Sequence, residues 1–591
     1  MCMDPRPAGV VWAGIDLGTQ SVRVLLADDA GRVLALGSAR LTSHRRSDAG
    51  RRHEQDPHQW WDAVGEASRQ AVGDLPPAWR SARVGAVAVC STSGTVLLGD
   101  DRGAPLTPAL MYDDARAVDE LARLTKRLDE TGGSGDSGGS GTAVQLSWAL
   151  PKIDWLFRHH TTTGLSGRYV AHSADVIAAA LVGHRVDTDS SHALKSGYDV
   201  VARRWDERLL TAAGVDPATL PAVVPPGSTL GTVTPAAAEH TGIAAGTPVV
   251  AGMTDGCAAQ IAAGALTHGS WNSVLGTTLV LKGVSPTLID DPAGAVYSHR
   301  HPDGGWLPGG ASNVGAGAVA AEFPDDDLDA LAAAAGRRYE PAGAVVYPLT
   351  ARGERFPFVR PDATRFELGA TSSRAERYAA VVQGVAYVER LCFERLAALG
   401  APIDGDIRIT GGGTRSDYWN QLRADVLGRP LVIPRTPEPA FGMAVLASAA
   451  GHGRDAAGVT VTRRAAVMVG RRAVIEPRAD AHERLTGGYD RLVAELTRRG
   501  YLDHADGDVP AADSTARPAR DQSVARAPTE GVGAPASDDA AAETPAQHDG
   551  SANDASTQDT AGTPSTGGGS KPVPPPAPTT AARRPSGRYA P

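Results

Sequence analysis

Four polar turns in this chain carry residue types suited to phosphate, metal or proton chemistry. Asp16-Leu17-Gly18-Thr19 sets a carboxylate beside a glycine turn and a hydroxyl. Backbone N–H groups and Thr19 there suit a phosphate, and Asp16 suits Mg²⁺ reached through water, although the same residues also make an ordinary hairpin tip. Gly276-Thr277-Thr278 follows the strand-like run Trp271 to Leu275 and either lets backbone approach an anion or simply turns the chain. Gly411-Gly412-Gly413 lies between the run Ile407 to Thr410 and a helix capped by Ser416, with Trp419, Leu422 and Val426 on its inner face. Three glycines there admit a flat ring against backbone, or merely join strand to helix. Asp255 stands behind an apolar strand and before an Ala-rich helix, as a helix cap or as a general base.

Two other patterns carry no such chemistry. Gly310 to Gly317 contains no GxGxxG match, and the 16 histidines include no HExxH grouping. Cys2, Cys90, Cys257 and Cys392 form no CxxC pair, which predicts neither a zinc site nor a disulfide framework and fits a reducing cytoplasm.

The elements that must position these turns alternate between strand and helix. Val10 to Ile15 and Val22 to Leu26 predict a hairpin with Asp16 to Ser21 at its tip, and Asp56-Pro57 starts a helix whose face is Trp60, Val64 and Ala67. Val84 to Val89 predicts a buried strand ending at Ser91-Thr92-Ser93-Gly94, and Val249 to Gly252 another that leads into Thr254-Asp255-Gly256. The alternation predicts an α/β fold, in which ligands gather at the carboxyl ends of strands. All four turns stand at such ends.

A chain of 591 residues with net charge −9 is too long for one core, so two or more domains are expected. No apolar run reaches the length of a membrane helix, and no dense Lys/Arg stripe suggests nucleic acid, so the expected partner is a small molecule. Beyond Leu502 the sequence has no Leu, Ile, Phe, Met or Trp, and 12 Asp/Glu stand against 7 Lys/Arg. Residues 503–591 are therefore expected to be a disordered tail, and Thr131 to Thr142 (TGGSGDSGGSGT) a linker-like loop.

Together the motifs AGIDLGTQSVR (13–23), STSGTVLL (91–98), GMTDG (252–256), VLGTT (274–278), ARGERFPF (351–358), ITGGGTRSDYWNQLRADVLGRPL (409–431) and EPAFGMAVLASAAG (438–451) resemble the FGGY carbohydrate kinases from about Val11 to Leu502. DTDSSHALKSGYD (187–199), VYSHR (296–300) and WLPGGASN (306–313) are most similar to its D-ribulokinase group in cyanobacteria and plants, which is xylulose kinase-like. Xylulose and glycerol kinases usually carry an SGQ-type motif where this chain has Thr92-Ser93-Gly94, which shifts the expected substrate toward D-ribulose.

The resemblance implies two actin-like, ribonuclease-H-like domains, 10–262 on the sugar and phosphate side and 263–502 on the adenosine side, with ATP, Mg²⁺ and sugar in the cleft between them. It places Asp16, Gly18 and Thr19 at phosphates and metal, Asp16 and Ser93 at the sugar, and Asp255 as catalytic base. Gly276 and Thr277 would meet phosphates, and Gly412, Gly413, Ser416 and Trp419 would hold adenosine. It further implies transfer of a phosphoryl group to a terminal hydroxyl of a ketopentose, D-ribulose first, with D-xylulose, a polyol or a non-catalytic nucleotide-binding regulator as alternatives. A pure sensor needs no base at Asp255. Monomer and homodimer stay equally open.

Because the tail offers no large apolar side chain to a core, truncation after Leu502 is expected to leave melting temperature and turnover within error. A large loss of stability would move the domain boundary into the tail.

Overall fold

The computed structural model describes residues 9–46, 52–130, 136–137, 142–160, 167–453 and 458–502. The expected tail 503–591 lies wholly, and the expected loop 131–142 largely, outside the described residues.

Val10–Leu17 (β1) and Ser21–Asp28 (β2) form the expected hairpin, and Val33–Arg40 (β3) extends it antiparallel. Arg83–Ser91 (β4) joins β1 in parallel. Thr229–Thr232 (β5) and Pro248–Val250 (β6) complete a six-stranded sheet ordered β5-β6-β4-β1-β2-β3, with β6 parallel to β4. A second sheet of seven strands contains Trp271–Leu275 (β7), Leu279–Gly283 (β8), Tyr297–Arg300 (β9), Trp306–Ser312 (β10), Ile407–Thr410 (β11), Leu431–Pro434 (β12) and Arg471–Ile475 (β13). Its order is β9-β10-β8-β7-β11-β12-β13.

The two sheets share one plan. In β3-β2-β1-β4-β6 and in β10-β8-β7-β11-β12, an antiparallel trio is followed by two strands parallel to its last strand, β1 or β7. This duplicated topology is the actin-like, ribonuclease-H-like fold, a mixed α/β architecture.

Six helices matter for the site: Pro57–Gly73 (α1), Ala149–His159 (α2), Asp255–Ala263 (α3), Arg374–Ala398 (α4), Asp417–Leu427 (α5) and Pro439–Gly451 (α6). The Asp56 carboxylate accepts from the His58 N–H at 3.0 Å and caps α1, with Pro57 in the first turn where its missing N–H costs nothing. Val11 to Leu17 is buried throughout, as a strand between two helical layers must be. Val11, Ala13, Ile15 and Leu17 pack with Trp60, Val64 and Ala67 of α1, while Trp12 packs with Phe441, Met443 and Ala444 of α6. Alternation along the strand therefore sets Asp16 on the same face as Trp12 and Gly14, the face that α6 covers.

Glycine makes that cover close. A Cβ on Gly14 would stand 1.8 Å from the Ala440 carbonyl oxygen, and one on Gly442 would stand 2.0 Å from that of Ala258 in α3. The small-residue helix α6 thus lies at backbone contact with β1 and α3. Phe441, Met443, Val445 and Leu446 are almost fully buried there, each contributing about 1.5 to 3 kcal/mol of transfer free energy.

Gly442→Ala is expected to destabilise the protein by about 1 to 3 kcal/mol through overpacking, even though alanine is the better helix former. The urea midpoint measures it. An unchanged midpoint would mean that α3 and α6 part without cost.

Candidate active site

The parallel strands β1, β4 and β6 end side by side, and three of the expected residues sit at those ends. Asp16 is the second-last residue of β1, Ser93 lies two residues past β4, and Asp255 opens α3 after β6. A parallel bridge between Ser91 and Thr254 carries the pairing of β4 onward to the turn before Asp255. Thr254, not Asp255, occupies the N-cap position, so the cap reading of Asp255 gives way. Asp255 is the first helical residue, where the helix N-terminus favours its negative charge and its Oδ1 accepts from the Gly256 N–H at 2.7 Å.

Burial raises the Asp16 carboxyl to about 6, and the Asp255 carboxylate nearby adds to the rise while Arg23 opposes it. The Cys90 thiol, on the same face of β4, donates to Asp16 Oδ1 at 3.7 Å. Asp255 is also raised, by burial, against the pull of the Gly256 N–H and of Lys195, His192 and Lys282. Two carboxylates thus share one partly dehydrated cleft. Gly18 and Thr19 continue from Asp16 into the hairpin tip, held by the Gln55 amide, which donates to the Thr19 carbonyl at 2.6 Å. The Ser93 hydroxyl oxygen is enclosed and makes no hydrogen bond among the described residues. A buried hydroxyl without a partner is rare in a folded protein, and at a strand end beside two carboxylates it marks Ser93 as a group whose partner a ligand could supply.

Behind these residues lies a buried polar support. The Asp189 carboxylate holds His192 Nδ1, His192 Nε2 meets the Ser91 hydroxyl at 2.9 Å, and Ser173 donates to Ser91 at 2.8 Å. Ser191 Oγ, itself bonded to Asp189, accepts from the Thr254 N–H at 2.8 Å. One carboxylate therefore anchors both the end of β4 and the turn before Asp255. Burial alone would lower His192, but Asp189 outweighs it and raises the imidazole. The segment 187–199 enters the sequence reading only as a mark of resemblance, because nothing in its spacing says that it folds under two strand ends.

Sequence reasoning also missed the cations around Asp255. Burial lowers Lys195, with the Asp255 carboxylate opposing. Lys282, on β8, donates to His299 Nδ1 at 2.9 Å, and a Cβ on Gly256 would lie 3.9 Å from its Cε. The second sheet thereby reaches the first beside Asp255. Burial together with Lys282 and Lys195 keeps His299 neutral.

The remaining expected residues converge elsewhere. Gly276, Thr277, Gly412, Gly413, Ser416 and Trp419 all line one cavity of about 810 Å³, at the carboxyl ends of β7 and β11. Asp16, Gly18 and Thr19 do not line it. A Cβ on Gly276 would meet nothing closer than 3.8 Å, so backbone there is open to an approaching group. The glycine triplet has another cause: a Cβ on Gly411 or Gly413 would strike Leu275, at 2.5 and 2.6 Å. At Gly412 a Cβ would meet only the Arg415 guanidinium, at 3.6 Å. Ser416 caps α5 by accepting from the Trp419 N–H at 3.3 Å, and it also bonds the Tyr378 hydroxyl. Trp419 Nε1 is buried without a partner, a free donor in the wall of a pocket of nucleotide size.

Ala316, Gly317 and Tyr378 also line this cavity, together with Val319, Leu328 and Asp329, and the sequence offered none of them as a site residue. The stretch 310–317, discounted as a dinucleotide fingerprint, folds Gly315 and Gly317 onto the Thr277 turn and Gly310 onto Phe356. Arg423, fully buried, forks onto Glu389 at 2.7 Å and bonds Ser273 at 2.8 Å, locking α5 to α4 and β7 behind the cavity.

Two sheets of one plan, with a carboxylate pair at the strand ends of one and a glycine-lined cavity at those of the other, define an actin-like phosphotransferase. Residues 11–262 match the N-terminal domain of the FGGY family of carbohydrate kinases, and residues 271–451 match its C-terminal domain. The chain belongs to the FGGY family of carbohydrate kinases, which take ATP as phosphoryl donor. A xylulose kinase of Streptomyces coelicolor is 31% identical over 502 residues, covering 83% of this chain and 96% of its own. A xylulose kinase of Escherichia coli is 29% identical over 454 residues, covering 75% and 90%. The crystal structure of xylulose kinase from Rhodospirillum rubrum superposes with a TM-score of 0.71 at 27% identity, covering 83% of this chain and 100% of that one. Among the described residues no helix is long and apolar enough to cross a membrane, and no group of three or more His, Cys, Asp or Glu gathers as a metal cluster.

The raised carboxyls give a signed pH dependence. Asp16 titrates near 6 when folded and near 3.8 when unfolded, so its protonated form stabilises the fold at low pH, and that contribution is lost as pH rises from about 4 through 6. Asp16→Asn is therefore expected to raise the melting temperature of the ligand-free protein at pH 8, by stabilisation on the order of 1 to 3 kcal/mol, and to have little effect at pH 4. Equal effects at both pH values would remove the electrostatic explanation.

Proposed function

We propose that this chain transfers the γ-phosphoryl group of ATP to a terminal hydroxyl of a ketopentose. The observation that carries the reading is Asp255, a raised carboxylate at a strand end beside a second raised carboxylate, Asp16. Proton abstraction from an alcohol needs a base whose pKa is lifted toward the working pH, and desolvation supplies the lift. Asp255 accepts the hydroxyl proton. Ser93 gives its free hydroxyl to the sugar, and Asp16 contacts the sugar and would hold Mg²⁺. Gly18, Thr19, Gly276 and Thr277 offer backbone and hydroxyl groups to phosphates, while Gly412, Gly413, Ser416 and Trp419 enclose adenosine.

Mg²⁺·ATP, when bound, supplies the phosphoryl group and neutralises its developing charge. The donor set fits it: an acidic residue beside a glycine turn, and a cavity wall with an unused indole N–H. The protein's own part is positioning, because in-line transfer demands alignment more than covalent help.

D-Xylulose is the first acceptor to test, since the relatives described above are xylulose kinases. D-Ribulose, the expectation from the sequence, rests on the Thr92-Ser93-Gly94 turn, whose short Ser93 hydroxyl has no partner among the described residues. The two sugars differ only at C3, and a mismatched buried hydrogen bond costs about 1 to 3 kcal/mol, roughly 5- to 150-fold in specificity.

Specificity constants across pentuloses, pentoses and polyols decide the acceptor; a polyol or aldose turned over tenfold better than either pentulose would defeat the ketopentose reading. Asp255→Asn is expected to cut turnover by about 10² to 10⁴ with ATP binding largely intact. Near-normal turnover in that variant would leave the base unassigned.

A further inference from the structure

Lys152, in α2, is fully buried and takes no part in the chemistry above. Its ammonium has no carboxylate within ion-pair distance among the described residues. It lies instead among four backbone carbonyl oxygens: Trp148 at 3.0 Å, Tyr112 and Ser147 at 3.2 Å, and Gly94 at 3.3 Å. Those carbonyls come from three separate places. Gly94 follows Ser93 in the turn after β4, Tyr112 lies on the segment whose ring feels the charges of Asp255 and Arg355, and Ser147-Trp148 enters α2.

Four carbonyl dipoles aimed at one point repel one another unless a cation sits between them, as in a monovalent-ion site. The ammonium has three N–H groups for four acceptors, so every proton is used. An uncharged side chain would fill the same volume without the desolvation cost but would leave four buried oxygens unsatisfied. Gly94 is held at φ +90, and a Cβ there would stand 2.7 Å from the Ser147 carbonyl oxygen, so the turn and the entry to α2 touch directly under the clamp.

We propose that Lys152 is a positioning residue for the sugar, an internal cation that clamps the Ser93–Gly94 turn to the Tyr112 segment and to the start of α2, and so sets where the Ser93 hydroxyl stands. This rests on the reading of the Ser93–Asp255 cleft as the acceptor site. Burial first and then the nearby Lys195 ammonium lower Lys152 to about 7, with Asp114 and Asp113 opposing. Deprotonation removes one N–H and turns a lone pair toward the carbonyls. The clamp therefore loosens as pH rises through 7, opposite in sense to the carboxylates, whose activation comes with rising pH.

Kinetics of Lys152→Met and Ser93→Ala, with D-xylulose and D-ribulose as acceptors, test it. Lys152→Met is expected to raise the acceptor KM about tenfold or more while the KM for ATP stays within about twofold. Wild-type acceptor KM is expected to climb above pH 7, and that climb to vanish in Lys152→Met. An acceptor KM unchanged in Lys152→Met but raised in Ser93→Ala would overturn the clamp, whereas no change in Ser93→Ala would overturn the acceptor-site reading itself. If Lys152→Met fails to fold, the wild-type profile decides: an acceptor KM flat from pH 6 to 8.5 overturns the proposal.

Discussion

The structure hangs on backbone-to-backbone approach at three glycines. Gly14 in β1 meets Ala440, Gly442 in α6 meets Ala258, and Gly252 before α3 would carry a Cβ only 1.8 Å from the Val89 carbonyl oxygen. Each contact lies two to four residues from a carboxylate, respectively Asp16, Glu438, whose charge adds to the rise of Asp16, and Asp255. A side chain at any of them would push apart the elements whose ends carry those carboxylates. Interiors packed to crystal density transmit such a shift rather than absorb it.

Bringing Asp16 and Asp255 together works against stability, since each is raised by desolvation and the Asp255 charge lifts Asp16 further. The surrounding fold offsets this with groups that have no other evident task. Lys195 and Lys282 bring positive charge to Asp255 from two different sheets' surroundings, and the Asp189–His192–Ser91 chain fixes the strand ends beneath it. On the other side, Arg423 and Glu389 use a fully buried ion pair to hold α5 against β7. A buried pair of this kind adds little net stability over an apolar substitute, but it fixes geometry. Local destabilisation of a site that binds two ligands is the ordinary balance between activity and stability.

Much of this was legible beforehand. The hairpin around Asp16, the capped helix after Asp56, the strands ending at Ser91 and Thr410 and the Ser416 cap all depend on alternation, turn residues and short-range hydrogen bonds, which are local properties of the chain. Six of the eight residues expected around adenosine and phosphate line one cavity, because they sit at or just past strand ends of a regular α/β plan, whereas Gly18 and Thr19 stand apart from it. By contrast, the glycines at 411 and 413 read as room for a ring and turned out to be room for Leu275, and the stretch 310–317 read as a decoy and turned out to buttress the Thr277 turn.

The class of fold, the strand ends that carry polar residues and the carboxylates suited to base chemistry are written in patterns spanning fewer than about twenty residues. What surrounds them is written nowhere locally and emerges on folding. Lys152 meets carbonyls 58 and 40 residues away, His192 meets Ser91 across 101 residues, and Arg423 meets Ser273 across 150. In the sequence each is one lysine, histidine or arginine among many. Its charge acquires a task only when folding removes water around it and brings partners distant in sequence within reach, because a polar group in low dielectric must be matched or be costly.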